Sequence, residues 1–282
     1  MTHKRIAVLI SGDYRGFDVC LPTMAPLLKS TDEHKVDIYF STWSESQHVH
    51  PLDPTLAHHV VDITSEKIFD VLHDYDVKGV VVEHFDKEYW DKLRYNCPMV
   101  HRWHEGMKMI KGSGIDYDFV VITRPDLYFN NSDKINLPNL ASTYQNKLGV
   151  AWADSLHLQK LQDIMFGSSM QNIESLVCGL DLNEWDTAEE HDWHTWWYTY
   201  AIGKVPVIGH FMDWDQCTFC RFPTITGLTF LEMQAQYTDY RDMKLIGDCK
   251  RWGREFAHKS WGMNYLVKAE GRLANGDFKK YE

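Results

Sequence analysis

The sequence predicts an α/β fold with a mostly parallel central sheet flanked by helices, and three observations carry that expectation. Near-continuous apolar runs such as RIAVLIS (5–11) suit strands buried on both faces. Segments of helical periodicity separate those runs, so strands and helices alternate. Glycine, proline and polar residues follow the runs at once, as strand-to-helix turns require.

Taken in order, RIAVLIS is the first strand and SGDYRGF (11–17) a glycine-punctuated turn. DVCLPTMAPLLKS (18–30) is expected to be helical near its end, and VDIYFSTW (36–43) is the second strand. Residues 44–60, with two prolines and four histidines, read as a loop. SEKIFDVLHDY (65–75) places Ile68, Phe69, Leu72 and Tyr75 at helical spacing. KGVVVEHF (78–85) is the third strand, and residues 86–112 form a helical stretch interrupted at Pro98. YDFVVIT (117–123) is the fourth strand. Short strands follow in LGVAWAD (148–154) and DIMFGSS (163–169), then a helix over 168–180 capped by Ser168 or Ser169. TAEEHDWHTWWYTYAIGK (187–204) is a helix with Thr187 and Glu190 at capping-box spacing, and VPVIGHF (205–211) is a strand. No linker or internal repeat is evident, so one domain is expected over 1–282.

Composition narrows the function. At 282 residues with 44% hydrophobic and 13% aromatic content, the chain can bury a substantial core. The opening apolar run, Ile6 to Ile10, is too short for a signal segment, and no stretch approaches 18 apolar residues. Six cysteines without a dense framework then predict reduced thiols and a cytoplasmic location. The net charge of −11 is uneven: residues 241–282 hold ten Lys/Arg against six Asp/Glu, whereas the preceding 240 balance at −15. An acidic body argues against wrapping nucleic acid, while the basic tail can touch a polyanion locally or serve as a solvated helical face.

Three polar strand ends are expected on one edge of the sheet, where open α/β sheets bind ligands. Gly12 and Gly16 after the first strand let backbone approach a phosphate and Arg15 can pair with it, or the glycines simply make a tight turn. Trp43 at the end of the second strand can stack on a base or pack in the core or at the rim. In TRPDL, Asp126 can ligate a hard divalent cation and Arg124 can pair with a diphosphate, with Pro125 fixing the backbone between them. The alternative is a mutual Arg124–Asp126 ion pair. Dinucleotide (GxGxxG), P-loop, nucleophile-elbow and HExxH motifs are absent, which excludes those chemistries in their usual form. The lone CxxC of Cys217 and Cys220 reads as structural thiols, and the HDWHTWWYTY segment as a packed aromatic face.

The order RIAVLISGDYRGF, VDIYFSTW, YDFVVITRPDLYF, DIMFGSS, AEEHDWHTWWYTYAIGKVPV resembles a family of small GT-A-like nucleotide-sugar glycosyltransferases of bacteria, phages and large viruses. The resemblance covers about residues 5–210. It implies a nucleotide-sugar-binding half (5–130), an acceptor-binding half (131–240) and a basic aromatic extension (241–282). It further implies that Ser11, Gly12 and Arg15 hold the donor diphosphate, that Trp43 lies near the base, and that TRPD is a variant of the family's Asp-x-Asp motif. Asp126 then holds Mn²⁺ or Mg²⁺, while Arg124 replaces the first Asp, a departure that bears on metal dependence.

Sugar transfer passes through an oxocarbenium-like state as negative charge builds on the leaving diphosphate. An inverting enzyme also needs a carboxylate base. By resemblance Glu190 is the first candidate and Asp163 the second, with Asp163 alternatively binding acceptor; Glu190 can equally cap its own helix. The expected activity is hexosyl or pentosyl transfer to a hydroxyl of a surface glycan or of a hydroxymethylated base in phage DNA, the latter placing the protein in host cytoplasm. Lys250, Arg251 and Arg254, interleaved with aromatic residues, are the candidate polyanion contacts. The alternative is a non-catalytic module that binds a nucleotide or glycan.

Overall fold

The computed structural model describes residues 3–14, 16–47, 60–86, 98–129, 135–151, 161–180, 193–205, 208–210 and 217–219. These residues all fall in one compact unit, Met1–Gln47 with Val60–Arg221. The basic extension over 241–282 lies outside them.

The expected α/β class is observed. Strand β1 (Lys4–Ser11) leads to helix α1 (Phe17–Leu28), then β2 (His34–Trp43), and the short strands β3 (Glu45–Gln47) and β4 (Val60–Asp62). Helix α2 (Ser65–Val71), β5 (Val77–Glu83), α3 (Pro98–Gly112), β6 (Phe119–Thr123) and β7 (Leu127–Phe129) follow. The remainder comprises α4 (Leu137–Thr143), β8 (Leu148–Val150), β9 (Met165–Ser168), α5 (Met170–Val177), α6 (Trp193–Lys204), β10 (Ile208–His210) and β11 (Cys217–Phe219).

Seven strands form the central sheet in the order β10-β8-β9-β6-β1-β2-β5. Ranked by position in the chain, these sheet strands run 3-2-1-4-6-5-7 from the β5 edge. Only β9 runs against its neighbours; the β5-β2-β1-β6 and β8-β10 pairings are parallel. The chain moves outward from β1 through β2 to β5, then returns to place β6 on the other side of β1. That reversal opens a crevice at the carboxyl ends of β1 and β6.

Helices cover opposite faces of the sheet. Phe17 of α1 meets Phe40 with ring centroids 5.0 Å apart. Gly106 of α3 lies over Leu9, which pairs with Tyr39, the residue before Phe40, and so faces the other way. A Cβ at Gly106 would stand 2.4 Å from both Leu9 methyl carbons, so glycine allows this helix its close approach. The α3 face gathers Ala7, Leu9, Val120, Ile122, Trp103, Phe166 and Trp197 into a continuous core.

Several local expectations need adjusting. Helix α1 begins at Phe17 and runs through Pro22 and Pro26, whereas the sequence predicts helicity only near its end. The hydroxyl of Thr23 donates to the Cys20 carbonyl at 2.7 Å and accepts from the Phe129 amide at 3.0 Å, tying the proline-containing turn to β7. Within the predicted 44–60 loop, Glu45–Gln47 pairs antiparallel with Val60–Asp62. Phe69, placed on the apolar face by spacing, is 46% exposed. Ser169, one of the two predicted caps, accepts from the Asn172 amide at the start of α5. Thr187 and the predicted first turns of the last long helix lie outside the described residues, which show α6 from Trp193.

One buried histidine makes stability depend on pH. His34, 5% exposed at the start of β2, pairs Nδ1 with the Thr31 hydroxyl at 2.8 Å, while its Nε2 meets no hydrogen-bond partner among the described residues. Burial lowers its pKa below the ordinary value. As pH falls through about 6.5 the unfolded chain takes up a proton that the folded chain resists, so stability is lost from pH 7 toward 5. Replacing His34 with Phe is expected to flatten that slope in urea titrations at pH 7, 6 and 5; an unchanged slope would assign it to other groups.

Candidate functional site

The carboxyl ends of β1, β2 and β6 lie on one edge, as the parallel pairing requires. Ser11 ends β1 fully buried, and its hydroxyl meets no hydrogen-bond partner among the described residues; the same holds for Thr123 at the end of β6. Gly12 then takes φ 135°, a conformation that side-chain-bearing residues rarely adopt. A Cβ there would stand 3.4 Å from Pro125 Cδ, so the two loops meet at the crevice. Gly16 caps α1 in the left-handed region with no side-chain hydrogen bond, directing a helix N-terminus at the same loop.

At the end of β6 the guanidinium of Arg124 grips Asp126 as a fork. Nε donates to Oδ1 at 2.8 Å and a terminal nitrogen to Oδ2 at 2.7 Å. Asp126 is 1% exposed and the Arg124 side chain 17%. Burial opposes the charge on Arg124, but the field and hydrogen bonds of Asp126 outweigh it, with smaller contributions from Asp163 and Asp13. The guanidinium is therefore held above its ordinary pKa. The arrangement is the mutual ion pair, the alternative reading of this triplet.

Asp163 arrives from the opposite direction. Because β9 is antiparallel to β6, the start of β9 sits beside the end of β6, and the Arg124 amide donates to the Ile164 carbonyl at 3.2 Å. Asp163 accepts from the indole N–H of Trp193 at 2.8 Å, which docks the first turn of α6 on the same edge. The Leu161 amide donates to the His194 carbonyl at 3.0 Å, and His194 Nδ1 lies 3.0 Å from the Leu161 carbonyl.

Ser11, Gly12, Arg124, Asp126 and Asp163 thus converge on one crevice. Trp43 lies on the same edge but is covered. Its ring stacks on His101 (5.9 Å, 10°), meets Phe85 edge-on at 5.1 Å and carries the Arg102 guanidinium 4.1 Å above it. Only 8% of Trp43 is exposed, so it packs as its alternative reading has it, buried at the strand end. Arg15, Glu190, Lys250, Arg251 and Arg254 lie outside the described residues.

Two participants escape a reading of the sequence. Asp13, next to Gly12, adds a third carboxylate to the field at Arg124; its adjacency to the glycine is the available signal. Trp193 belongs by pattern to an aromatic face and does pack there, yet its N–H also orients Asp163.

For a divalent cation at Asp126 the described residues do not fit. Both carboxylate oxygens accept from Arg124, and Asp126 belongs to no described group of three ligands. The described group that can hold a metal ion is Glu83, His101 and Glu105, at the end of β5 and on α3. No described helix is long and apolar enough to cross a membrane. Compared with known proteins, the chain matches no family model and no curated protein.

Proposed function

We propose that this chain is a glycosyltransferase that moves a sugar from a nucleotide-sugar donor to a hydroxyl acceptor, on a GT-A-like fold. The observation that carries the reading is the convergence of the Ser11–Asp13 loop, the Arg124–Asp126 fork and Asp163 at the crevice where strand order reverses. Arg124 is a fixed buried cation suited to the charge that builds on a leaving diphosphate. The first turn of α1, which Gly16 caps without a side-chain hydrogen bond, offers backbone N–H groups to the same anion. Asp163, aimed by Trp193, supplies the carboxylate that takes the acceptor proton or holds the acceptor hydroxyl. The mostly parallel sheet is compatible with the fold the resemblance implies. The acceptor is a surface glycan or a hydroxymethylated base.

The second reading, a non-catalytic nucleotide- or glycan-binding module, is favoured by one observation: Asp126 already spends both oxygens on Arg124. The test is free-nucleotide release from a panel of nucleotide sugars, with Mn²⁺ or with EDTA, offering glycan or hydroxymethylated DNA as acceptor. The transferase reading expects release with one donor, faster with one acceptor, and a drop of about 10²–10⁴-fold in Asp163→Asn. No release with any donor, together with unchanged nucleotide affinity in Asp126→Ala, would leave the binding module.

A further inference from the structure

We propose that Glu83, His101 and Glu105 form a binding site for a divalent transition ion of the zinc type, separate from the crevice and independent of the transferase reading. The donor atoms, one from each side chain, lie within 4.8 Å of one another. Ligands sharing one ion at about 2.0–2.2 Å stand roughly 3–4 Å apart, so small side-chain rotations close the set. His101 and Glu105 are four residues apart on α3 and therefore lie on one face of it, while Glu83 ends β5. Two elements fixed by the sheet thus bring the ligands together.

The donor chemistry selects the ion. One imidazole with two carboxylates suits zinc and its first-row neighbours, whereas calcium and magnesium sites are built from oxygen. His101 Nε2 already faces Glu83 Oε2 at 2.8 Å, the geometry in which an ion takes the place of a shared proton.

Arg102 is the positioning residue. It is fully buried, donates to the Thr42 carbonyl at 3.0 Å and to Glu83, and stacks on Trp43. Carboxylate ligands are commonly oriented by such an outer partner. Its positive charge opposes a second cation, but the two carboxylates leave the set at −1 before the ion arrives. The competing Lys108–Glu105 pair is exposed on the lysine side and contributes little. A groove of about 520 Å³, lined by His101, His104, Glu105, Lys108, Lys111 and Cys178, gives the ion an entrance and leaves room for water to complete its coordination.

The experiment uses the full chain stripped with EDTA, titrated with Zn²⁺ by calorimetry and with Co²⁺ by visible absorption. One equivalent of Zn²⁺ is expected, with Co²⁺ bands that Zn²⁺ abolishes and millimolar Mg²⁺ does not. Affinity should fall at least ~10-fold in His101→Ala and in Glu105→Gln. Glu105→Gln retains the side-chain shape, so it decides the matter if His101→Ala fails to fold. No stoichiometric uptake by the wild type, or uptake unchanged in Glu105→Gln, overturns the site.

Discussion

Arg124→Met is expected to lower the unfolding free energy by about 3–5 kcal/mol, because it strips the fork from a carboxylate buried to 1% exposure. A buried pair adds little net stability relative to an apolar pair of the same shape, but a buried charge deprived of its partner is costly. Adding Asp126→Asn to Arg124→Met should recover much of the loss, since the remaining amide is neutral. Urea titrations of the two single variants and the double variant give the coupling directly. Equal, additive losses would mean that the fork carries no special energy. The same substitution removes the cation that the proposed transferase offers to its leaving group, so nucleotide release should fall even under conditions where the variant stays folded.

Trp103→Ala is expected to cost a similar ~3–5 kcal/mol through a different mechanism. Trp103 is 1% exposed on α3, with Phe166 edge-on at 5.0 Å and Trp197 at 5.5 Å. Through them it joins α3, β9 and α6. Trp193 lies parallel to Trp197, with centroids 5.9 Å apart, and hydrogen-bonds Asp163, so the cavity left by truncation opens beneath the carboxylate of the candidate site. Denaturant midpoints measure the first effect. Trp103→Phe, which keeps most of the volume, should lose less than half as much. A loss below about 1 kcal/mol for the alanine variant would show that the aromatic layer collapses to fill the space.

Much of this architecture is legible in the sequence because buried parallel strands announce themselves. The run from Phe119 to Thr123 is buried at every residue, and the polar triplet that ends it is plain from the order of residues alone. Alternation of strands and helices then implies a shared edge for Ser11, Trp43 and Arg124. The partner that Asp126 chooses cannot be read in this way: a metal, a ligand and the neighbouring guanidinium all satisfy a lone carboxylate, and only three-dimensional geometry distinguishes them. Strand β7 is invisible because three residues, Leu127–Phe129, carry too little periodicity, and its pairing with Cys217–Phe219 spans almost 90 residues. The Glu83–His101–Glu105 group escapes for the same reason. Its helical half has metal-ligand spacing, but its third member belongs to a strand end that only the crossover from β5 to β6 brings near.

The central place of β1 in the sheet also sets a timetable. Its neighbours are β2, which follows almost at once, and β6, which begins at Phe119. At about 5–20 residues per second, a ribosome delivers β6 roughly 5–20 s after β1 has been made. Throughout that interval one edge of a strand whose centre, Ile6 to Ile10, is wholly apolar waits without its permanent partner, a template for pairing with other chains. β9 closes the far side of β6 later still. Asp163 precedes that strand, so the crevice acquires its last described carboxylate only when the strand order is nearly complete. Ligand affinity at this edge would therefore report on finished folding, and a nascent chain released before Asp163 would carry the Arg124–Asp126 fork without the residue that faces it.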